Sequence, residues 1–382
     1  MTTPGGVHLL TPGNRLLQSG SLARIVFALY LAAIALFSYS RPYYNWDLAG
    51  YVGAAFRLEG KDTVAVHDQT YAAIKSEVPE AAYRELCSPA DPYKSLMAED
   101  AVQFARQIHL YSIRPLYTSL LALMHLLGAP VVRVTVLVSI LCVIGTGIVV
   151  RSWLGRRLTA WGATVSAILI LSGARLPDLA RFSTPDGMAC FVFLCGVYLL
   201  VQGRFPLAAW LVLWLSILVR TDYAVPFLTV VAFRRYGKGP GGPLSRRRSA
   251  VLIFGCLAAV AVIHILSGNF IWEGMPYGRG FVVTIRQIFL NDLFIVLPCF
   301  IGLNIATLVA GGRRPDNAQP ALQISLIAIV SLAARMILFP HLADRFFPVE
   351  YLLTGIAFVF IIAGDLPEVQ AASSPDTASS TP

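Results

Sequence analysis

Pro115-Leu-Tyr-Thr-Ser-Leu-Leu-Ala-Leu-Met-His-Leu-Leu127 is the stretch on which the reading of this chain turns. It is apolar enough to enter a bilayer, yet shorter than the roughly 20 residues a helix needs to cross one. If it crosses, every later loop changes side. The positive-inside rule arbitrates. With 115–127 not crossing and the N-terminus cytoplasmic, the inner loops carry Arg151, Arg156 and Arg157, then Arg204, then Arg234, Arg235, Lys238 and Arg246–Arg248, then Arg313 and Arg314. If it crosses, the six-base loop from Arg234 to Arg248 lies outside, against the rule. The stretch is therefore expected to be an interfacial helix over 114–127, lying in or dipping into the outer leaflet.

The residues on either side are mostly apolar. The chain has 382 residues, 56% hydrophobic and 13% charged, where a soluble domain is about one quarter charged. Spans are expected at Leu22–Tyr39, Val131–Val150, Thr159–Ala174, Met188–Gln202, Pro206–Val219, Tyr223–Phe233, Ala250–Ser267, Ile288–Ala310, Ala321–Phe339 and Val349–Ala363. The expected fold class is an all-α polytopic membrane protein, with about ten transmembrane helices and a large first extracytoplasmic loop containing interfacial helices. Leu22–Tyr39 is too long for a signal core and no Ala-x-Ala site follows it, so it is expected to stay as a span. Residues 1–14 and 366–382, rich in Pro, Gly, Ser and Thr, are expected to be disordered cytoplasmic tails. Between them, 15–365 forms one transmembrane domain whose loop 41–113 holds ten acids and seven bases. Within that loop Leu48–Leu58 and Ser95–Leu110 read as amphipathic helices that lie along the surface.

Several function classes lose support at this point. The formal charge of +9 sorts into short loops as orientation signals do, so no nucleic-acid partner is implied. No Walker A pattern and no strand-linked GxGxxG occurs, and the longest inner loop is too short for a nucleotide-binding domain. Cys142, Cys190, Cys195, Cys256 and Cys299 fall in apolar segments and Cys87 in the loop, without CxxC spacing. They read as packing residues. No internal repeat of the kind transporters use is visible.

The outer face collects the remaining charge. Asp47 lies in Arg41-Pro-Tyr-Tyr-Asn-Trp-Asp47, at the bilayer edge among aromatics. A carboxylate there is costly to dehydrate and so reads as functional. Arg175, Asp178, Arg181 and Asp186 share the next outer loop, Arg220 and Asp222 form a tight turn, and Glu273 and Arg279 follow. His341, Asp344 and Arg345 close the set. Arginine's planar fork suits phosphate, and an aspartate serves as base or metal ligand. The plainer readings are a solvated loop acid for Asp47, a helix cap for Asp186, interfacial anchors for Arg175 and Arg181, and a local ion pair for Arg220 with Asp222. For His341 the plainer reading is a satisfied interfacial histidine.

Asp47 among aromatics, Arg114-Pro-Leu-Tyr117, Ala180-Arg-Phe-Ser-Thr-Pro-Asp186 entering a span, and Asp344-Arg-Phe-Phe-Pro348 together resemble the GT-C superfamily of integral-membrane glycosyltransferases, over roughly residues 20–365. The resemblance implies transfer of a sugar from a polyprenyl-phosphate donor to an extracytoplasmic glycan, lipid or protein acceptor, with inversion, among membrane lipids of the cell envelope. Asp47 and Asp186 would be catalytic. Arg175, Arg181, Arg345 and Arg220 would bind the donor phosphate, with Arg114, Asp178, Asp222 and His341 as further candidates. A divalent cation shared by Asp47 and Asp186 is the other use of those carboxylates, with no histidine in support.

The alternative function is a lipid or solute transporter or flippase, and a catalytically dead scaffold is a third. A transport path needs charge near the midplane of several spans, whereas Arg133, Arg335 and Asp292 lie near span ends or in terminal thirds. The absence of an Asn-x-Ser/Thr sequon favours a bacterial inner membrane.

Overall fold

The computed structural model describes residues 20–203, 205–236, 243–268, 293–312, 315–338 and 344–364, with 293–297, 315–318, 338 and 344 described by backbone alone. Among the described residues the protein is all helical, its single parallel bridge joining Tyr43 to Phe182. The expected tails lie outside these residues, as do Arg204, Lys238, Glu273, Arg279, Asp292, Arg313, Arg314 and His341.

The bundle begins with α1 (Gly20–Ser40). A lobe follows, made of α2 (Asp47–Leu58), α3 (Thr63–Glu77), α4 (Glu80–Leu86), α5 (Pro92–Glu99), α6 (Ala101–Ser112) and α7 (Pro115–Leu126). The bundle resumes with α8 (Val131–Leu154), α9 (Ala160–Gly173), the short α10 (Leu176–Leu179), α11 (Asp186–Gln202) and α12 (Pro206–Val219). A 3-10 turn, Thr221–Tyr223, leads into α13 (Ala224–Tyr236) and then α14 (Arg246–Leu266). Next come α15 (Leu293–Gly312) and α16 (Pro315–Leu338), then a second 3-10 turn, Asp344–Phe346, and α17 (Pro348–Ala363).

Among the described residues, four helices are long and apolar enough to cross a membrane: α1, α8, α14 and Gln319–Ile337 within α16. Six more are apolar but shorter, among them α7, α9, α11, α12 and α17. The outward faces carry apolar side chains such as Leu36, Leu141, Leu169, Leu211 and Phe254. The interior holds Thr135, Ser139, Thr146, Thr164, Ser216, Asn304 and Ser325, all buried. Small polar residues at helix contacts with apolar residues outside are the pattern of helices that pack in lipid. Several buried hydroxyls are satisfied within their own helix, Thr146 donating to the Cys142 carbonyl at 2.8 Å and Thr307 to Leu303 at 2.8 Å.

The lobe departs from expectation in two ways. Leu48–Leu58 does not lie along a surface, because every residue from Leu48 to Phe56 is buried. Gly50 and Gly53 explain this. A Cβ at Gly50 would collide with the Tyr111 ring, and one at Gly53 would meet Phe104 at 2.8 Å, so α6 packs directly on the α2 backbone. The helix is the centre of a second hydrophobic core built from Tyr51, Phe56, Phe104, Ile108, Tyr117 and their neighbours. The expected single helix Ser95–Leu110 is two, broken at Asp100, whose side chain accepts from the Val102 and Gln103 amides and so caps α6. Pro115–Leu127 is a separate helix, α7, opened by Pro115 and about 18 Å long at 1.5 Å per residue.

Candidate functional site

Asp47 is the first residue of α2, and the chain arriving at it is fixed by another loop. The Tyr43 amide donates to the Arg181 carbonyl at 2.9 Å, and the Tyr43 ring stands edge-on to Phe182 at 5.2 Å. Ser139 on α8 holds the second loop from behind, donating to the Phe182 carbonyl at 2.7 Å. Sequence positions 41–47 and 181–186 are thereby brought to one end of the bundle, where α1 and α9 finish and α8 and α11 begin.

Three donors converge on the Asp47 carboxylate. Arg345 Nη2 donates to Oδ2 at 2.7 Å, Asn45 Nδ2 to Oδ2 at 2.8 Å, and the Tyr111 hydroxyl to Oδ1 at 3.2 Å. Burial opposes ionisation of Asp47, but the guanidinium of Arg345, then that of Arg114, outweighs it and holds the carboxyl below the usual range. A lowered acid stabilises the fold above its unfolded pKa of about 4, and that contribution fades as pH falls through the lowered value. The pair is thus intact at neutral pH. Burial and the Asp47 charge push the Tyr111 phenol well up, which keeps it a neutral donor.

Arg345 also faces a cavity of about 430 Å³. Arg175, Arg181, Asp178 and Asn45 share its lining, with Tyr43, Phe182, Leu179 and Pro348 as apolar wall. Arg175 holds φ at 55°, a left-handed backbone that a non-glycine residue rarely adopts. Its Nε pairs with Asp178 Oδ2 at 3.1 Å. Arg181 donates to the Arg41 carbonyl at 2.7 Å and rests over the Phe37 ring, with no carboxylate partner among the described residues. Strained backbone of this kind persists where surrounding structure enforces it, often at binding sites.

The other expected residues lie deeper. Asp186, 3% exposed, is ion-paired with Arg220 and accepts from Thr184 at 2.5 Å. Arg220 forks onto both oxygens of Asp222, at 2.9 and 3.1 Å, so the tight-turn ion pair is present. Asp222 also receives Arg335 at 2.6 Å, and Arg335 continues to Glu350 at 3.0 Å, which accepts from Ser331 at 2.8 Å. Burial of Asp222 is outweighed by Arg220 and then Arg335, which hold its carboxyl below the usual range. Asp186, expected to be catalytic, is therefore taken up by Arg220, and Arg220, expected as a phosphate ligand, is shared between Asp186 and Asp222. Neither lines the cavity.

This buried network supports the site through one tripeptide. Arg345 is followed by Phe346, whose ring lies under the Arg220 guanidinium at 5.0 Å, and by Phe347, which meets Arg335 at 5.5 Å. Arg114 sits over the Tyr51 ring at 5.4 Å, donates to the Leu110 carbonyl at 2.5 Å and acts electrostatically on both Asp47 and Asp222.

Sequence reasoning missed Asn45, Tyr111 and Glu350. Glu350 had a visible signal, a carboxylate just inside the last apolar segment. Asn45 and Tyr111 had none beyond closeness to Asp47 or an aromatic in the loop. As for a cation, Asp47 and Asp186 each face their own arginine, and among the described residues no three His, Cys, Asp or Glu side chains converge. The two carboxylates are thus occupied by arginines rather than presented together to a cation.

No protein family, curated protein or solved structure matches the chain.

Proposed function

We propose that the chain is a membrane glycosyltransferase that moves a sugar from a polyprenyl-phosphate donor to an acceptor outside the cytoplasm. The observation that carries the reading is the meeting of Asp47 with a cavity lined by Arg175, Arg181 and Arg345, through Arg345 and Asn45, which belong to both. Asp47 takes the proton of the acceptor hydroxyl as general base. The cavity arginines stabilise the negative charge that grows on the departing lipid phosphate. Attack from the face opposite the phosphate inverts the anomeric carbon. Asn45 and Tyr111 orient the base, and the Asp186–Arg220–Asp222–Arg335–Glu350 network holds the frame.

Transport is disfavoured by where that network lies. Its members sit at the start of α11, the end of α12, the last turn of α16 and the first turn of α17, so it caps one end of the bundle and does not thread it. In this reading the chain crosses a bacterial inner membrane about ten times, with both termini cytoplasmic.

The layout has its own test. In a cysteine-free background, Asp178→Cys at a half-buried position and Arg248→Cys at an exposed one are expected to react from opposite sides of sealed vesicles. Reaction of both from one side would misplace the whole site.

Donor use tests the arginines. Arg175→Ala with Arg181→Ala is expected to weaken binding of a polyprenyl-phosphate sugar by about tenfold or more, with insertion and folding retained. Transfer at the wild-type rate by the double variant would make both residues lipid anchors only.

A further inference from the structure

The three cavity arginines are held differently. Arg175 is paired within its own turn to Asp178 and Arg181 is tied to a backbone carbonyl, whereas Arg345 binds the candidate base itself. Arg345 is otherwise held by ring faces, Phe182 at 5.7 Å and Phe346 at 5.0 Å. Stacking of this kind keeps a guanidinium in place but tolerates rotation in its plane, unlike a directed hydrogen bond. Asp47 has a second set of partners, Asn45 on Oδ2 and Tyr111 on Oδ1, which do not depend on Arg345.

We propose that Arg345 is an anion-released latch on Asp47: a phosphate group in the cavity draws the guanidinium off the carboxylate, which then becomes free to accept the acceptor's proton. The proposal rests on the glycosyltransfer reading and adds an order to it. With the cavity empty, Arg345 covers the base. With the donor phosphate seated, the cation serves the leaving group and the base is uncovered. The groups that face Asp47 are then Asn45 beside it, Tyr111 from α6, Tyr93 from α5 and Arg114 ahead of α7. Arg114 still favours the charged carboxylate while Arg345 is away, against the burial that opposes it.

A latch makes phosphate and Asp47 competitors for one arginine, which a binding cycle measures. The probe is farnesyl phosphate, a short isoprenyl monophosphate, titrated into the full chain in nanodiscs of zwitterionic lipid. Inorganic phosphate is the arm without a tail. Asp47→Asn is expected to bind farnesyl phosphate about 3- to 10-fold more tightly than wild type, because Arg345 is already released. In an Arg345→Gln background the same substitution is expected to change binding by less than about twofold. Asp47→Ser serves the same purpose if Asp47→Asn does not purify monodisperse.

The outcomes separate. No binding of either probe by wild type overturns the donor reading, and the latch with it. Wild-type binding that Asp47→Asn leaves unchanged or weakens overturns the latch alone. A gain that survives in Arg345→Gln also overturns it, since removal of a nearby negative charge then accounts for the effect. Equal behaviour of the two probes assigns the cavity to free phosphate and overturns the lipid-phosphate source.

Discussion

Asp47→Asn is expected to lower single-turnover sugar transfer by roughly 10²–10⁴-fold. The substitution keeps the shape and still accepts from Tyr111, but an amide takes no proton at neutral pH. Donor binding must survive, and through the freed Arg345 it should improve. That combination distinguishes a lost base from a lost fold or a lost binding site. The measurement is donor binding followed by transfer in one turnover on purified protein in nanodiscs. Wild-type turnover by Asp47→Asn would sink the catalytic assignment and with it most of the case for an enzyme.

The second large effect is on stability. Arg335→Leu removes the cation between Asp222 and Glu350, and Glu350 is 1% exposed. Stranding a buried charge costs about 3–5 kcal/mol, a sizeable part of the roughly 5–15 kcal/mol that holds a typical domain together. The variant is expected to unfold at a clearly lower temperature in detergent. Adding Glu350→Leu removes the stranded carboxylate, and because Asp222 keeps its fork from Arg220, much of the loss should be recovered. A double variant no more stable than the single would mean that the network is not what holds these helices. Arg335→Leu should also displace Phe347 and, through it, Arg345, so donor binding is expected to weaken even in the fraction that folds.

Part of this arrangement could be read from the chain because two signals in it are strong. Apolar runs located the bundle helices, and the loops expected on one side, with Asp47, Arg175, Arg181, Arg220 and Arg345, do gather at one end of the bundle. Pairing was not legible. Charge sidedness says that arginines and carboxylates share an end of the bundle, but not that Arg220 is consumed by Asp186 and Asp222 while Arg345 is left to Asp47. That choice is made by helix packing: α13 lies on α16, and the turn that opens α13 meets Arg335 through Asp222. The lobe was misread for a related reason. Leu48–Leu58 has an amphipathic pattern, and its glycines look like weak points in a surface helix. Only when Tyr111 and Phe104 are seen lying on them do they become the reason the helix is buried. Asp100 was the clearest missed signal, a capping residue in the middle of what had been read as one helix.

The buried network also sets a timetable for making the protein. Asp186, Arg220 and Asp222 leave the ribosome close together, and the hairpin of α11 and α12 carries its own cation for two carboxylates. Arg335, the second cation, is 113 residues beyond Asp222. At about 5–20 residues per second, synthesis leaves that gap open for roughly 6–23 s. Through that interval the nascent chain holds two acids on one arginine at the membrane edge, and the last hairpin closes the account by docking. Chains that stop before α16 should therefore be targets of membrane proteolysis, however well their earlier helices have inserted.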